Sequence, residues 1–339
     1  MKKILGAMEQ ALLAGEALVL VTITASTGAT PRGAGARMLV GRQGRICGTI
    51  GGGPVEYRSE QMALQVLEKK VSSQQEFSLT RDDVQKLGMI CGGDVHVFFH
   101  YVPAGDGETL SLVQEAQRQM EKGEALWLIS DLGSNDALSL YSGKHGVYGH
   151  AVPDWVLSQL PRQPKVLQNG EERYCVEQIN SAGRVYIFGC GHVSQELEPV
   201  LTHVGFRCVV MDDRPEFARR ELFPTAEEVK LVDFSNLAET VTVGEEDYVC
   251  IMTRGHAFDT VIQAQVLKCA PVYVGVIGSR KKAAAIRQIL KEQYGLTEEE
   301  LSRVTTPIGL DIGAQTPAEI AISIAAQMIQ VRAQKNKEL

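Results

Sequence analysis

The hydrophobic rhythm of the chain changes near residue 183. Before that point, residues 16–26 (EALVLVTITAS), 36–41 (ARMLVG) and 44–50 (GRICGTI) read as strands. Residues 51–70 (GGGPVEYRSEQMALQVLEKK) read as a helix in which Pro54 suits the first helical position. A strand at 94–102 (DVHVFFHYV), a helix near 109–121 and a strand at 124–130 follow. Gly, Asn and Pro clusters with hairpin-like alternation then make residues 131–180 read as an irregular arm and connection. From 183 onward the apolar runs are continuous, as in strands buried on both faces: 184–188, 207–212, 229–232, 247–252 and 272–277, with helices expected between them. Thr316, Pro317 and Glu319 open the last helix with a capping box, and residues 297–300 (TEEE) offer the same box one helix earlier. The pattern predicts an α/β protein. A C-terminal Rossmann-like doubly wound parallel sheet occupies 183–339, a smaller N-terminal α+β domain 1–130, and an irregular connection 131–182.

Composition changes this picture little. The 339 residues are 44% hydrophobic and 22% charged, ordinary for a globular chain long enough for two cores. No apolar run reaches the roughly 18 residues of a membrane span, and Glu9 and Glu16 interrupt the N-terminal stretch, which reads as an amphipathic helix rather than a signal peptide. A net charge of −7 with no dense Lys/Arg block argues against a nucleic-acid partner. The seven cysteines are scattered singly, which suits a reduced, cytoplasmic protein; Cys208 and Cys250 fall inside apolar strand runs.

The chemistry concentrates at the predicted strand ends, where doubly wound sheets bind ligands. Gly189 and Gly191, followed by His192, permit a tight turn and close approach of a phosphate to a helix start, with Ser194 where the usual pattern has a third glycine. Asp212 lies 23 residues after Gly189, near the spacing of a ribose-binding acid, and Arg214 offers a site for a second anionic group. Residues 253–259 (TRGHAFD) bring Thr253, Arg254, His256 and Asp259, and residues 278–282 (GSRKK) open a helix with Ser279 and Arg280. A metal shared by Cys190, His192 and His256 would have nonstandard spacing. In the first part, Arg32 sits in a Gly-rich loop, and Gly51, Gly52 and Gly53 form either a helix-start anion site or a tight strand–helix turn. Neither loop ends in the Gly-Lys-Ser/Thr of a P-loop. Cys91 lies in a glycine turn, where a thiol would be accessible.

Taken together, TGATPRGAGARMLV, GTIGGGPVE, GMICGGDV, YIFGCGHVSQEL, DDRPEFA, MTRGHAFD, GVIGSRKK and PIGLDIGAQTPAEIAISIAAQM resemble the XdhC/CoxI family of molybdoenzyme accessory proteins, in family order and over nearly the whole chain. The resemblance implies a non-catalytic homodimer that binds molybdenum cofactor, as molybdopterin or its cytosine dinucleotide. Such a protein stabilises the cofactor, presents it for sulfuration with a cysteine desulfurase as partner, and helps insert it into a xanthine dehydrogenase-type hydroxylase. It also implies that Cys91 is a thiolate ligand of molybdenum or a relay for sulfur. Two alternatives stay open: an NAD(P)-dependent oxidoreductase with His256 as acid–base residue, and a sulfurtransferase acting through Cys91.

Overall fold

In a computed structural model, described for residues 1–78, 93–133, 136–181, 183–254 and 256–335, the chain divides into two units, 1–181 and 182–338.

The first unit begins with helix α1 (Lys2–Leu13) and strands β1 (Leu18–Ser26), β2 (Arg37–Gly41) and β3 (Gly44–Thr49). Helix α2 (Gly53–Lys69) and strands β4 (Ser73–Ser78) and β5 (Asp94–Val102) complete an antiparallel sheet of order β3-β2-β1-β5-β4. Strand side chains alternate between faces, and β1 uses both. Leu18 and Leu20 pack with α1 and helix α3 (Gly107–Glu121), whereas Val19, Val21 and Ile23 pack with Val55, Ala63 and Val66 of α2. That is why residues 18–23 are almost uninterruptedly apolar.

The segment read from sequence as irregular is instead largely sheet. Strands β6 (Leu126–Asp131), β7 (Leu138–Ser142), β8 (Gly146–Gly149), β9 (Lys165–Asn169) and β10 (Glu172–Asn180) pair antiparallel in the order β8-β7-β6-β10-β9, with a one-turn helix α4 (Asp154–Leu157) between β8 and β9. The alternation was visible, but polar residues on the outer positions and the Gly and Pro turns masked its continuity. With these strands included, the N-terminal unit is the longer of the two.

The second unit is a sheet of six parallel strands, β11 (Val185–Phe188), β12 (Cys208–Asp212), β13 (Glu228–Leu231), β14 (Tyr248–Ile251), β15 (Tyr273–Val276) and β16 (Val304–Thr305), in the order β13-β12-β11-β14-β15-β16. Its chain reverses direction across the sheet between β11 and β14, the arrangement that opens a crevice at a switch point. Helices α5 (His192–His203) and α9 (Pro317–Lys335) cover Val185, Ile187, Val210 and Cys250 on one face. Helices α6 (His256–Val266) and α7 (Arg280–Tyr294) cover Phe188, Met211, Ile251 and Val274 on the other. Helix α8 (Glu298–Ser302) carries the capping box expected at Thr297 and Glu300, and Thr316 and Glu319 make the other one. The sequence reading expected helices throughout, yet β12 to β13 and β13 to β14 are joined by single 3-10 turns, Arg220–Leu222 and Leu237–Glu239. Among the described residues no helix is long and apolar enough to cross a membrane.

Candidate functional site

Two glycine-rich helix starts were candidates for holding an anion, and they differ in what already fills them. At α2, Gly51, Gly52 and Gly53 have φ of +127°, +73° and +65°, a backbone that L side chains resist. The buried carboxylate of Glu56 reaches back over this turn. It accepts from Ile50 N at 2.9 Å and Gly52 N at 3.1 Å, and also from the Thr49 hydroxyl and the Arg45 guanidinium. Burial alone would raise its pKa, but the bonds from Thr49, Gly52 and Ile50 and the Arg45 charge together hold it below the ordinary glutamate value. Gly51 N donates to Thr49 Oγ1 at 3.1 Å. The chain's own carboxylate therefore fills the site proposed for an anion, and the triple glycine is a tight strand–helix turn. Glu56 was missed from sequence because an acid in a first helical turn reads as ordinary dipole compensation.

The loop of Arg32 lies against this turn. A Cβ on Gly51 would stand 2.8 Å from Pro31 Cβ, and one on Gly93 would stand 2.1 Å from Thr27 O. Thr27 N donates to Asp94 O at 2.9 Å, and Asp94 N to Thr27 O at 3.2 Å. The fold thus brings the Arg32 loop next to both other glycine motifs of this unit, with Arg32 itself exposed. Cys91 lies outside the described residues.

At α5 the situation is the reverse. No acid stands in its first turn, and its cap residue Gly191 supplies no side chain. A Cβ on Gly191 would meet nothing within 4 Å, and His192 beside it is exposed. The two glycines of this loop do different work. Gly189 has φ of +103°, and a Cβ there would lie 2.4 Å from Met252 O, so it serves close approach of the β14 end. Ser194 tolerates the third glycine's place because its side chain is buried and its hydroxyl donates back to Gly189 O.

Asp212 differs from the sequence expectation. It is 1% exposed, and Oδ1 accepts from Arg214 N at 3.1 Å and Arg214 Nε at 2.8 Å. Oδ2 accepts from Cys190 N at 2.7 Å and Arg214 Nη2 at 2.9 Å. Four donors fill the four lone-pair positions of a carboxylate, so Asp212 ties the β11 loop to the β12 loop and has no place for a ribose diol. Burial would raise its pKa, but the Arg214 side chain and these amides outweigh that and lower it. Arg214 stacks over the Phe217 ring at 3.9 Å from its centroid, and its charge is directed to Asp212 rather than to a second anion. Asp213, next in line, is pushed the other way by burial and by its neighbour Asp212.

At the β14 end, Asp259 is fully buried, and Thr253 Oγ1 donates to its Oδ1 at 2.6 Å. Burial raises its pKa to about 6 against the lowering by Thr253. Arg254 is exposed, while the side chain of His256 lies outside the described residues. Ser279 caps α7 without a side-chain bond, and Arg280 is exposed at its start. Cys190 is fully buried with its thiol pushed up to about 12, which removes it from a metal with His192. Among the described residues, no group of three or more His, Cys, Asp or Glu is placed to hold a metal.

Comparison with known proteins decides the lineage. The XdhC Rossmann domain matches residues 185–328, and the XdhC and CoxI family matches residues 11–78. The chain belongs to the XdhC/CoxI family. Among XdhC/CoxI relatives it is 26% identical over 330 residues to a Bacillus subtilis protein described as a probable subunit of xanthine dehydrogenase, covering 94% of each chain. It is 24% identical over 335 residues to the molybdenum cofactor insertion chaperone PaoD of Escherichia coli, covering 97% of this chain and 88% of that one. A crystal structure described as a xanthine dehydrogenase from Bacillus halodurans superposes with a TM-score of 0.78 at 23% identity, over 96% of this chain and 95% of that one. That likeness shows that the XdhC/CoxI fold extends over both units.

Proposed function

We propose that this XdhC/CoxI protein binds molybdenum cofactor as cargo, protects it, presents it for sulfuration and helps insert it into a xanthine dehydrogenase-type hydroxylase. One observation carries the reading: the α5 start at Gly191 lies at the switch point of the parallel sheet with no internal anion, while the other glycine-rich helix start is filled by Glu56. The phosphate of a pterin, or the pyrophosphate of its cytosine dinucleotide, is the group such a start holds. Gly191 leaves room for the phosphate oxygens to approach the backbone, and His192 stands at the rim as a donor to the part of the cargo beyond the phosphate. Asp212 and Arg214 hold the loop rigid from below. The near full-length relation to an insertion chaperone supports molybdenum cofactor over other phosphate-bearing ligands.

A nicotinamide oxidoreductase is disfavoured because its ribose acid, Asp212, is saturated by protein donors. Cys91 remains our proposed sulfur- or molybdenum-facing thiol, with a cysteine desulfurase supplying the sulfur. The test is a side-by-side titration of the purified protein with molybdenum cofactor and with NAD(P)H. Saturable binding of the first without turnover of the second is expected; NAD(P)H oxidation with a carbonyl substrate, abolished by His256→Ala, would overturn the reading.

A further inference from the structure

A cavity of about 280 Å³ runs along α7, away from the α5 helix start. Its mouth is formed by Gly278, Ser279, Lys282 and Gln263. Its floor is formed by Ile286, Leu290, Leu301 and Val304. Lys282 and Leu290 are eight residues apart on one helix, about 12 Å along its axis, so the cavity passes from a polar to an apolar end.

The charge balance at the mouth is one-sided. No carboxylate lines the cavity among the described residues. The Lys282 Nζ is buried and has no hydrogen-bond partner among them, although the rest of the residue is partly exposed. Burial accordingly lowers its pKa. The second lining cation, Arg287, is already engaged, donating to Glu298 and to Leu301 O at 3.1 Å. Helix α7 adds its own positive end, with no acid in the first turn and no side-chain cap from Ser279. An unpaired ammonium withdrawn from water beside a positive helix end is costly, and an incoming anion removes that cost.

We propose that this cavity is a binding site for a compact organic carboxylate, its head on Lys282 and the α7 start and its short alkyl or aromatic body on the apolar floor. The volume lies just under the roughly 300–1,000 Å³ of ordinary ligand pockets, which excludes a whole pterin or nucleotide. The apolar floor favours a carboxylate with a hydrocarbon body over a bare phosphate. This site is separate from the cofactor reading and stands without it.

The experiment measures melting temperature and calorimetric binding of the full chain with hexanoate, benzoate and inorganic phosphate, for wild type, Lys282→Met and Lys282→Arg. Hexanoate or benzoate should raise the wild-type melting temperature in a saturable way, and phosphate should bind more weakly. Lys282→Met should weaken the carboxylates at least about tenfold, and Lys282→Arg should retain them. Without ligand, Lys282→Met should melt about 2–4 °C higher, because it removes an unpaired buried charge. Carboxylate binding unaltered by Lys282→Met, phosphate binding as tight as hexanoate, or no binding to the wild type would each overturn the proposal.

Discussion

At the scale of single residues, Asp212 shows how a correct spacing can carry a different task. Its four donors make it a structural anchor, so Asp212→Ala should act on stability. The expected cost is about 2–4 kcal/mol in urea unfolding, below the roughly 3–5 of a fully buried pair because Arg214 keeps some water access. An unaltered unfolding midpoint would return Asp212 to the list of ligand residues. Asp259 makes a prediction in pH. Its pKa is raised to about 6 in the fold, against roughly 3.9 in an unfolded chain, so its protonated form favours folding. That contribution is full below about pH 4 and is lost as pH rises through about 6. Asp259→Asn, neutral throughout, should therefore gain on wild type between pH 4 and pH 7 by roughly 2–3 kcal/mol; parallel stability curves for the two proteins would contradict this. Cys208 is fully buried among apolar neighbours, with its thiol pKa raised by that burial, so Cys208→Ser should cost about 1–3 kcal/mol in the same assay.

Elements explain what was legible. The parallel strands of the second unit are covered on both faces, which forces unbroken apolar runs such as 184–188 and 247–252, and these were read correctly. Strands β9 and β10 carry polar residues at alternate positions (KVLQN, ERYCVEQIN), and the same physics makes such a sheet look like a loop. The two short 3-10 connections left no periodic signal long enough to separate from a helix. The glycines of the β11 loop were legible as a pair but not as individuals: Gly189 serves packing against Met252, and Gly191 faces open space. Gly189→Ala should therefore lower stability by at least about 2 kcal/mol, since its Cβ would overlap backbone that cannot move aside. Wild-type unfolding for that variant would mean that the two strand ends do not pack as described.

For the whole molecule, each unit has its own hydrophobic clusters. Scanning calorimetry should accordingly resolve more than one transition, with Gly189→Ala displacing only that of the second unit; a single transition displaced as a whole would contradict this. The net charge of −7 fits a carrier that relies on local helix-start fields rather than a basic surface to hold an anion. The central claim is that the open α5 start holds the phosphate end of molybdenum cofactor, and Gly191→Val addresses it directly. Valine suits the extended backbone there, with φ of −73° and ψ of −176°, and its methyls would occupy the space left for the ligand. The measurement is the affinity of this variant for molybdenum cofactor, with circular dichroism and melting temperature recorded on the same sample. The account predicts an unaltered fold and a collapse of affinity; a folded Gly191→Val protein that binds the cofactor as tightly as wild type would contradict it.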